Sequence, residues 1–342
     1  MSDAVRVSIA GGQSFAGRRG EVLLDAALGA GIDLPHDCRS GLCGTCRVDV
    51  VKGEVDGCEQ GRDGVLACQA RLREDLTLAV DERPPVGAVH GFVSSLRRLS
   101  SDVFDVAIRT KRPLAHLPGQ YAQFTFAGFP SRCFSPSLPL TEAPTAGEIR
   151  LHVQRVPGGL VSDALGNEIR PGHRVRVNGP FGSAYLRPGG SERLVLVASG
   201  TGFAPVWSIA KAALRDMPDR EIVVAASAKS LDQFYMGPAL LRLAIFPRVT
   251  VYAGLRTPDG SSPLFFVGDP VDMVPELRPS DVVYGCGAPA MVEALAKRAA
   301  AAGARCHADA FSSPPPASTS IIPSALLRGA SSRSRLLAFL AR

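Results

Sequence analysis

The sequence has no run of ~20 uninterrupted apolar residues, the length that a helical membrane span requires. Its first twenty residues are too polar for a secretory signal. The expectation is a cytoplasmic chain with no stable membrane span. Lysine is scarce, at five of 38 basic side chains, so the arginine surplus behind the net charge of +6 reads as compositional bias. No aromatic platform is interleaved with those arginines, which leaves a nucleic-acid-binding reading without its stacking partners. A disulfide framework is missing as well. Of the eight cysteines, Cys38, Cys43 and Cys46 fall within nine residues. In a reducing compartment such a cluster indicates metal or redox chemistry before it indicates bridges. Nor is there an internal repeat at a solenoid-like period.

What is present divides into segments. At roughly 100–200 residues per domain, a chain of 342 residues predicts two or three domains. Residues 1–83 carry 10 basic against 14 acidic side chains, residues 84–311 carry 24 against 18, and residues 312–342 carry four arginines and no acid. An acidic head opposite a basic body favours internal docking. Pro84-Pro85 closes the head, because paired prolines resist both helix and central strand. The predicted divisions are 1–83, 86–188, 190–311 and a Pro/Ser-rich basic tail over 312–342. The tail's composition predicts disorder. The alternative is a short amphipathic helix through Ala325-Leu326-Leu327-Arg328 and residues 336–340, touching a membrane or a partner.

In the head, Cys38, Cys43 and Cys46 give C-x4-C-x2-C, and Cys68 follows on a separate segment. Three thiolates on one loop with a fourth far along the chain is the plant-type [2Fe–2S] spacing. Gly41 and Gly44 let that loop turn tightly and bring N–H groups toward the sulfurs. The competing accounts are a structural zinc site, which usually has a second close cysteine pair, and free core cysteines. Cys58 reads as an incidental thiol. Around the loop, residues 5–9 alternate as a strand, residues 21–30 have helical spacing with Gly31 as the stop, and residues 47–52 are strand-like.

Residues 91–126 read as short strands, including 103–110 and 121–126, with no long helix between them, which suggests an antiparallel barrel. Arg132-Cys133-Phe134-Ser135 follows, then His152-Val153-Gln154-Arg155 and Gly158-Gly159-Leu160-Val161-Ser162. Arg132 can offer a planar guanidinium to a pyrophosphate, Phe134 can stack on a flat ring, and Ser135 can hydrogen-bond at the ring's reactive edge. Gly158, Gly159 and Ser162 suit phosphate contact at a helix start, and His152 completes the candidate cofactor set. Further on, 194–199 is a continuous apolar strand followed by Gly200-Thr201-Gly202-Phe203-Ala204-Pro205 and a helical stretch to Leu214. Strands over 221–226, 249–253 and 281–284 then alternate with helical text, the pattern of a doubly wound α/β domain.

The head resembles the plant-type ferredoxin domain, a β-grasp fold. The middle motifs resemble the FAD-binding barrel of the ferredoxin–NADP reductase superfamily, with Phe134 where that family usually has Tyr, so FAD is implied and FMN stays open. Gly200-Thr201-Gly202-Phe203-Ala204-Pro205 is similar to that superfamily's G-T-G-x-A-P turn. Gly285-Cys286-Gly287 is similar to its turn beside the nicotinamide, and Asp309-Ala310-Phe311 resembles its closing acid-x-aromatic element by the flavin. Domain order and these motifs together resemble the reductase components of naphthalene-type aromatic-ring dioxygenases over residues 1–311.

The resemblance implies a multidomain α+β protein with a β-grasp ferredoxin domain, an antiparallel β-barrel flavin domain and a doubly wound α/β nucleotide domain. It implies Cys38, Cys43, Cys46 and Cys68 as cluster ligands, and Ser135, Cys286, Asp309 and Phe311 at the reacting centre. Arg132, Phe134, Ser135, His152, Gly158, Gly159 and Ser162 would hold the flavin. Gly200, Thr201, Gly202, Pro205, Gly285, Cys286 and Gly287 would hold the nicotinamide nucleotide. Ser227, Lys229 and Tyr235 partly echo a 2′-phosphate site, so NADH is expected with NADPH as the alternative. Electrons would pass from NAD(P)H through FAD and the cluster to a Rieske-type ferredoxin or terminal oxygenase, the chain itself being a monomer. Service to a monooxygenase or to deoxysugar biosynthesis is the alternative pathway.

Overall fold

The computed structural model describes residues 3–36, 39–41, 44–58, 64–257 and 265–311. The expected ligands Cys38 and Cys43 and the tail over 312–342 lie outside the described residues. Three main sheets follow one another along the chain, the first two each over one core and the third between two.

In the head, strands β1 (Ala4–Ile9), β2 (Ser14–Arg18) and β3 (Arg47–Lys52), with β5 (Val65–Leu66) and β7 (Leu76–Ala79), form a sheet ordered β2-β1-β7-β3-β5. A small pair, β4 (Val55–Asp56) and β6 (Arg71–Leu72), lies outside it. Helix α1 (Leu23–Gly29) buries Leu23, Leu24, Ala26 and Ala27, the stripe that its spacing predicts. It starts later than the sequence suggests because Val22 is taken up by a bridge to Arg71. It stops in a Schellman motif: Gly31 takes φ +76, and the Ile32 N–H returns to the Ala27 carbonyl at 2.9 Å.

The second sheet runs β11-β10-β13-β8-β9-β12. Its strands are β8 (Gly87–Arg98), β9 (Val103–Thr110), β10 (Tyr121–Phe126), β11 (Arg132–Phe134), β12 (Glu148–Gln154) and β13 (Arg174–Phe181). All its pairings are antiparallel, and a bridge between Ser137 and Arg150 joins the segment after β11 to β12, closing the barrel. Closure explains why β9 is buried at seven of its eight positions rather than alternating.

The third sheet is parallel throughout, in the order β17-β16-β15-β14-β18-β19. Its strands are β14 (Leu194–Ser199), β15 (Ile222–Ala228), β16 (Val249–Leu255), β17 (Phe266–Val267), β18 (Val282–Gly287) and β19 (Arg305–Ala310). Leu194, Leu196 and Ala198 of β14 join one core with α2 (Phe203–Asp216) and α3 (Gly237–Ala244). Val195 and Val197 join another with α4 (Pro289–Ala301). Both faces are covered, which is why that strand reads as an unbroken apolar run. The chain reverses direction of winding between β14 and β18, and the crevice beyond their carboxyl ends is where such sheets bind nucleotides.

The entry ends of β14 and β18 are tied by an interior ion pair. Arg193 donates to both oxygens of Asp281, at 2.9 and 2.6 Å, and Asp281 also accepts the Arg278 N–H at 2.7 Å. The side chains are 7% and 0% exposed. Removing the carboxylate leaves Arg193 with Glu221 at 3.7 Å and the Glu276 carbonyl at 3.0 Å, so Asp281→Ala should destabilise the nucleotide domain by about 1.5–3 kcal/mol. Urea denaturation, read from the shift in midpoint, checks this.

Candidate functional site

The pairing of β3 with β5 explains how distant cysteines meet. Arg47 faces Leu66 and Val48 faces Val65, and the Ala67 N–H donates to the Cys46 carbonyl at 3.0 Å. Cys68 is the next residue, so one backbone hydrogen bond joins the two ligand segments. Cys46 and Cys68 are both buried. The Gln69 side-chain amide, which sequence reasoning missed, lies 3.5 Å from the Cys68 sulfur and donates to it. An N–H aimed at a buried thiol sulfur suits a metal-bound thiolate, whose charge it offsets. The donor set therefore fits a [2Fe–2S] cluster. Gly41 and Gly44 take φ +81 and +67, the left-handed backbone that the tight loop demanded.

The flavin motif lies on β11 and just beyond it. Phe134 is half-buried with its ring 5.9 Å from that of Phe124. Arg132 is half-buried, and its guanidinium donates to the neighbouring Ser131 carbonyl at 2.8 Å. Ser135 is 5% exposed, and its Oγ has no hydrogen-bond partner among the described residues. A buried hydroxyl in that condition is costly unless something completes it, so the site fits a flavin whose ring edge supplies the missing partner. The Gly158 turn is differently disposed. No helix follows it; a turn does, with the Asp163 N–H returning to the Gly159 carbonyl. The Gly158 N–H donates to Asp163 Oδ2 at 2.6 Å, and Ser162 Oγ accepts the Val156 N–H at 3.0 Å.

The chain after Ser135 is fastened to α2. Ser137 Oγ donates to the Ala204 carbonyl at 3.0 Å, Ser208 Oγ to the Pro136 carbonyl at 3.1 Å, and Trp207 Nε1 to the Pro139 carbonyl at 3.3 Å. These bonds bring the flavin motif beside the Gly200-Thr201-Gly202 turn, whose Pro205 lies in the first turn of α2. A Cβ on Gly202 would overlap the Cys286 carbonyl, so only glycine lets that turn close on the end of β18. The Ala288 N–H donates to Ser199 Oγ at 3.0 Å across the same crevice. Gly285, Cys286 and Gly287 are buried, Cys286 completely.

β19 pairs Cys286 with Asp309 and Gly287 with Ala310, and the Phe311 N–H donates to the Gly287 carbonyl at 2.7 Å. Cys286 and the acid-x-aromatic element thus meet at one end of the sheet. Burial, and then the neighbouring Asp309, push the Cys286 thiol well above its usual range. Burial pushes Asp309 up to about 7. His307, two residues earlier and unforeseen, has a buried Nδ1 with no partner among the described residues. Burial first, and then Arg187, Arg47, Arg305 and Arg83, hold it neutral.

The three residues expected around a 2′-phosphate do not share one environment. Lys229 is exposed, whereas Ser227 is fully buried and its Oγ has no partner among the described residues. Tyr235 is buried against the barrel, its hydroxyl 3.3 Å from His152 Nδ1 and its ring edge-on to His152 and Phe203. Burial lowers His152 to about 3 and raises the Tyr235 phenol. The two form a neutral interior joint between β12 and the nucleotide domain.

Residues 8–73 match the family model of the 2Fe-2S iron-sulfur cluster binding domain, residues 91–185 that of the oxidoreductase FAD-binding domain, and residues 196–297 that of the oxidoreductase NAD-binding domain. The chain is 35% identical over 312 residues to the ferredoxin–NAD(P)(+) reductase component of the naphthalene 1,2-dioxygenase/salicylate 5-hydroxylase systems of a Ralstonia species, covering 85% of this chain and 94% of that one. It is 30% identical over 316 residues to the corresponding component of the naphthalene 1,2-dioxygenase system of Pseudomonas putida, at the same two coverages of 85% and 94%. Among solved structures it is similar to the Amycolatopsis cytochrome P450 reductase, with 30% identity and a TM-score of 0.65 over 90% of this chain and 98% of that one.

The raised Asp309 carboxyl has a consequence for stability. The folded protein holds that proton more tightly than the unfolded chain does. Stability therefore falls as pH rises from the unfolded value of 3.8 to the folded value of about 7. Asp309→Asn should flatten this decline, as read from Tm against pH; an unchanged slope would assign it to another group. Taken with the three matched domains in this order, relatives at 30% and 35% identity over most of both chains decide the family. The protein belongs to the ferredoxin–NAD(P)(+) reductase components of oxygenase systems, oxidoreductases with [2Fe–2S], FAD and NAD(P)H sites on one chain.

Proposed function

We propose that this chain passes electrons from NADH, with NADPH as a second donor, to a Rieske-type ferredoxin or directly to a terminal oxygenase in the degradation of an aromatic compound. The observation that carries the reading is the fastening of the flavin motif to the nucleotide helix through Ser137, Trp207 and Ser208, in a chain that also brings Cys46 and Cys68 together. FAD held at this site would supply the conversion of a two-electron hydride donor into single electrons for a one-electron cluster.

The protein's own groups place and tune. Ser135, whose hydroxyl has no partner among the described residues, would offer it to the flavin ring edge, and Phe134 would offer a ring face for stacking. Arg132 is the charge partner for the pyrophosphate; the Gly158 turn is a poorer candidate because the Asp163 carboxylate already takes its N–H. Asp309 holds or releases a proton near neutral pH beside Cys286, where Phe311 closes the site. Cys38 and Cys43 complete the ligand set with Cys46 and Cys68. The cysteine cluster supports a reducing, cytoplasmic setting. Among the described residues no helix is long and apolar enough to cross a membrane. A monomer is the state we propose.

A second acceptor class, a monooxygenase, is favoured by the likeness to the Amycolatopsis cytochrome P450 reductase. Reduction of a purified Rieske ferredoxin against a purified cytochrome P450 distinguishes the two. The electron order is tested by Cys68→Ser. NADH-driven reduction of cytochrome c should be abolished, while ferricyanide, which takes electrons from the flavin, is still reduced. Unchanged cytochrome c activity would sink the order proposed.

A further inference from the structure

The two residues that flank Glu82 at the end of the head both turn onto one aromatic side chain of the barrel. Tyr185 is 1% exposed, and its hydroxyl donates to Asp81 Oδ2 at 2.5 Å. Two guanidinium groups lie over its ring, with the central carbons of Arg83 and Arg187 at 5.2 and 3.8 Å from the ring centroid. Arg187 also pairs with Asp81 at 3.1 Å and donates to the Ser183 and Tyr185 carbonyls. Arg83 spans three groups at once: Nε donates to the Tyr185 hydroxyl at 3.2 Å, Nη1 to the Thr45 carbonyl at 2.7 Å and Nη2 to the Arg47 carbonyl at 3.3 Å.

Those two carbonyls flank Cys46. On its other side the same loop is seized by the barrel, where the Gly182 N–H donates to the buried Thr45 Oγ1 at 3.1 Å. Ser183 Oγ lies 2.8 Å from where a Cβ on Gly44 would stand, so the approach is as close as glycine permits. The cluster loop is thus held from both sides at the residues bordering one of its expected ligands.

We infer that Arg83 is a positioning residue that fixes the cluster loop on the flavin barrel, so that electrons cross between flavin and cluster over a preset contact rather than after a search by a mobile head. This rests on the electron order proposed above. The step moves electrons one at a time with no bond made or broken, and NAD(P)H is the reductant. Domains joined by a short linker swivel by default unless their interface is well bonded. Here the linker's own Asp81 and Arg83 make the bonds, and Pro84-Pro85 follows directly. A planar guanidinium can reach two carbonyls and a phenol together, whereas an ammonium is a point donor. The rate of electron transfer falls with the separation of donor and acceptor, so a contact that is no longer held in one place slows the step.

The test uses the full-length holoprotein with Arg83→Ala, Arg83→Lys and, in case the first folds poorly, Thr45→Val. In Arg83→Ala the cluster should be reduced several-fold more slowly in stopped flow, with ferricyanide reduction unchanged. Arg83→Lys should not restore the rate. Hydrogen exchange at the amides of residues 44–47 and 182–187 should quicken in both, a readout that needs no turnover. Thr45→Val, which removes the acceptor of the Gly182 N–H, should slow cluster reduction while leaving flavin reduction unchanged. Cluster reduction at the wild-type rate in Arg83→Ala overturns the inference, even where exchange quickens, because the contact would then be adhesive only. Cytochrome c activity that survives Cys68→Ser would overturn the electron order instead, and amide exchange would still report the clamp.

Discussion

The structure depends on the fastening of the barrel's exit loops to their neighbours. After β11 the chain could leave the barrel in many directions. Two proline carbonyls, at Pro136 and Pro139, are instead held by Ser208 and Trp207 on α2, and Ser137 returns a bond to Ala204. These groups are buried, so each bond broken would leave a polar atom without water or partner. That cost forces the flavin motif to sit beside the first turn of the nucleotide domain. The same device recurs after β13, where residues 182–187 receive Thr45, Asp81 and Arg83 from the head.

Around these two seams the electrostatics are arranged for neutrality inside and charge at the edge. His152 and Tyr235 are both kept uncharged by burial where the barrel meets the nucleotide domain. His307 is kept neutral by burial and by four arginines. Tyr185 is raised to about 12 by burial despite two flanking guanidinium groups. Asp309 is the exception, a carboxyl poised near neutrality beside Cys286. A buried carboxyl whose proton exchanges near neutral pH is a candidate for a functional role.

Much of the fold was legible in advance because its signals are local. The strands over 103–110 and 121–126 appear with those bounds, and the Schellman stop at Gly31 was announced by the glycine itself. The reading of the head as acidic and the body as basic was a poorer guide to their junction. Among the described residues, Asp81–Arg187 is the ion pair that crosses it, and the rest is carbonyl, phenol and hydroxyl bonding that charge counting does not detect. Tyr235 was grouped with Ser227 and Lys229 because the three partly echo the 2′-phosphate site of NADPH-selective relatives. Its ring was in fact claimed by His152 and Phe203, because an aromatic gains more from an interior pocket than from solvent.

The sequence by itself determined the chemistry of each centre. Thiolate spacing, glycines between strand and helix, and an arginine before an aromatic and a serine are short-range patterns that a cofactor's own geometry imposes on the chain. Tertiary structure alone decided how those centres are joined: that Gln69 addresses the Cys68 sulfur, that Ser135 is left buried with an open bond, and that Arg83 grips the carbonyls on either side of Cys46. Such contacts join Arg83 to Tyr185 across 102 positions of chain, and Gly182 to Thr45 across 137. No periodicity or motif spans that distance, since the partners are chosen by which buried donors and acceptors remain to be satisfied once the three sheets have packed.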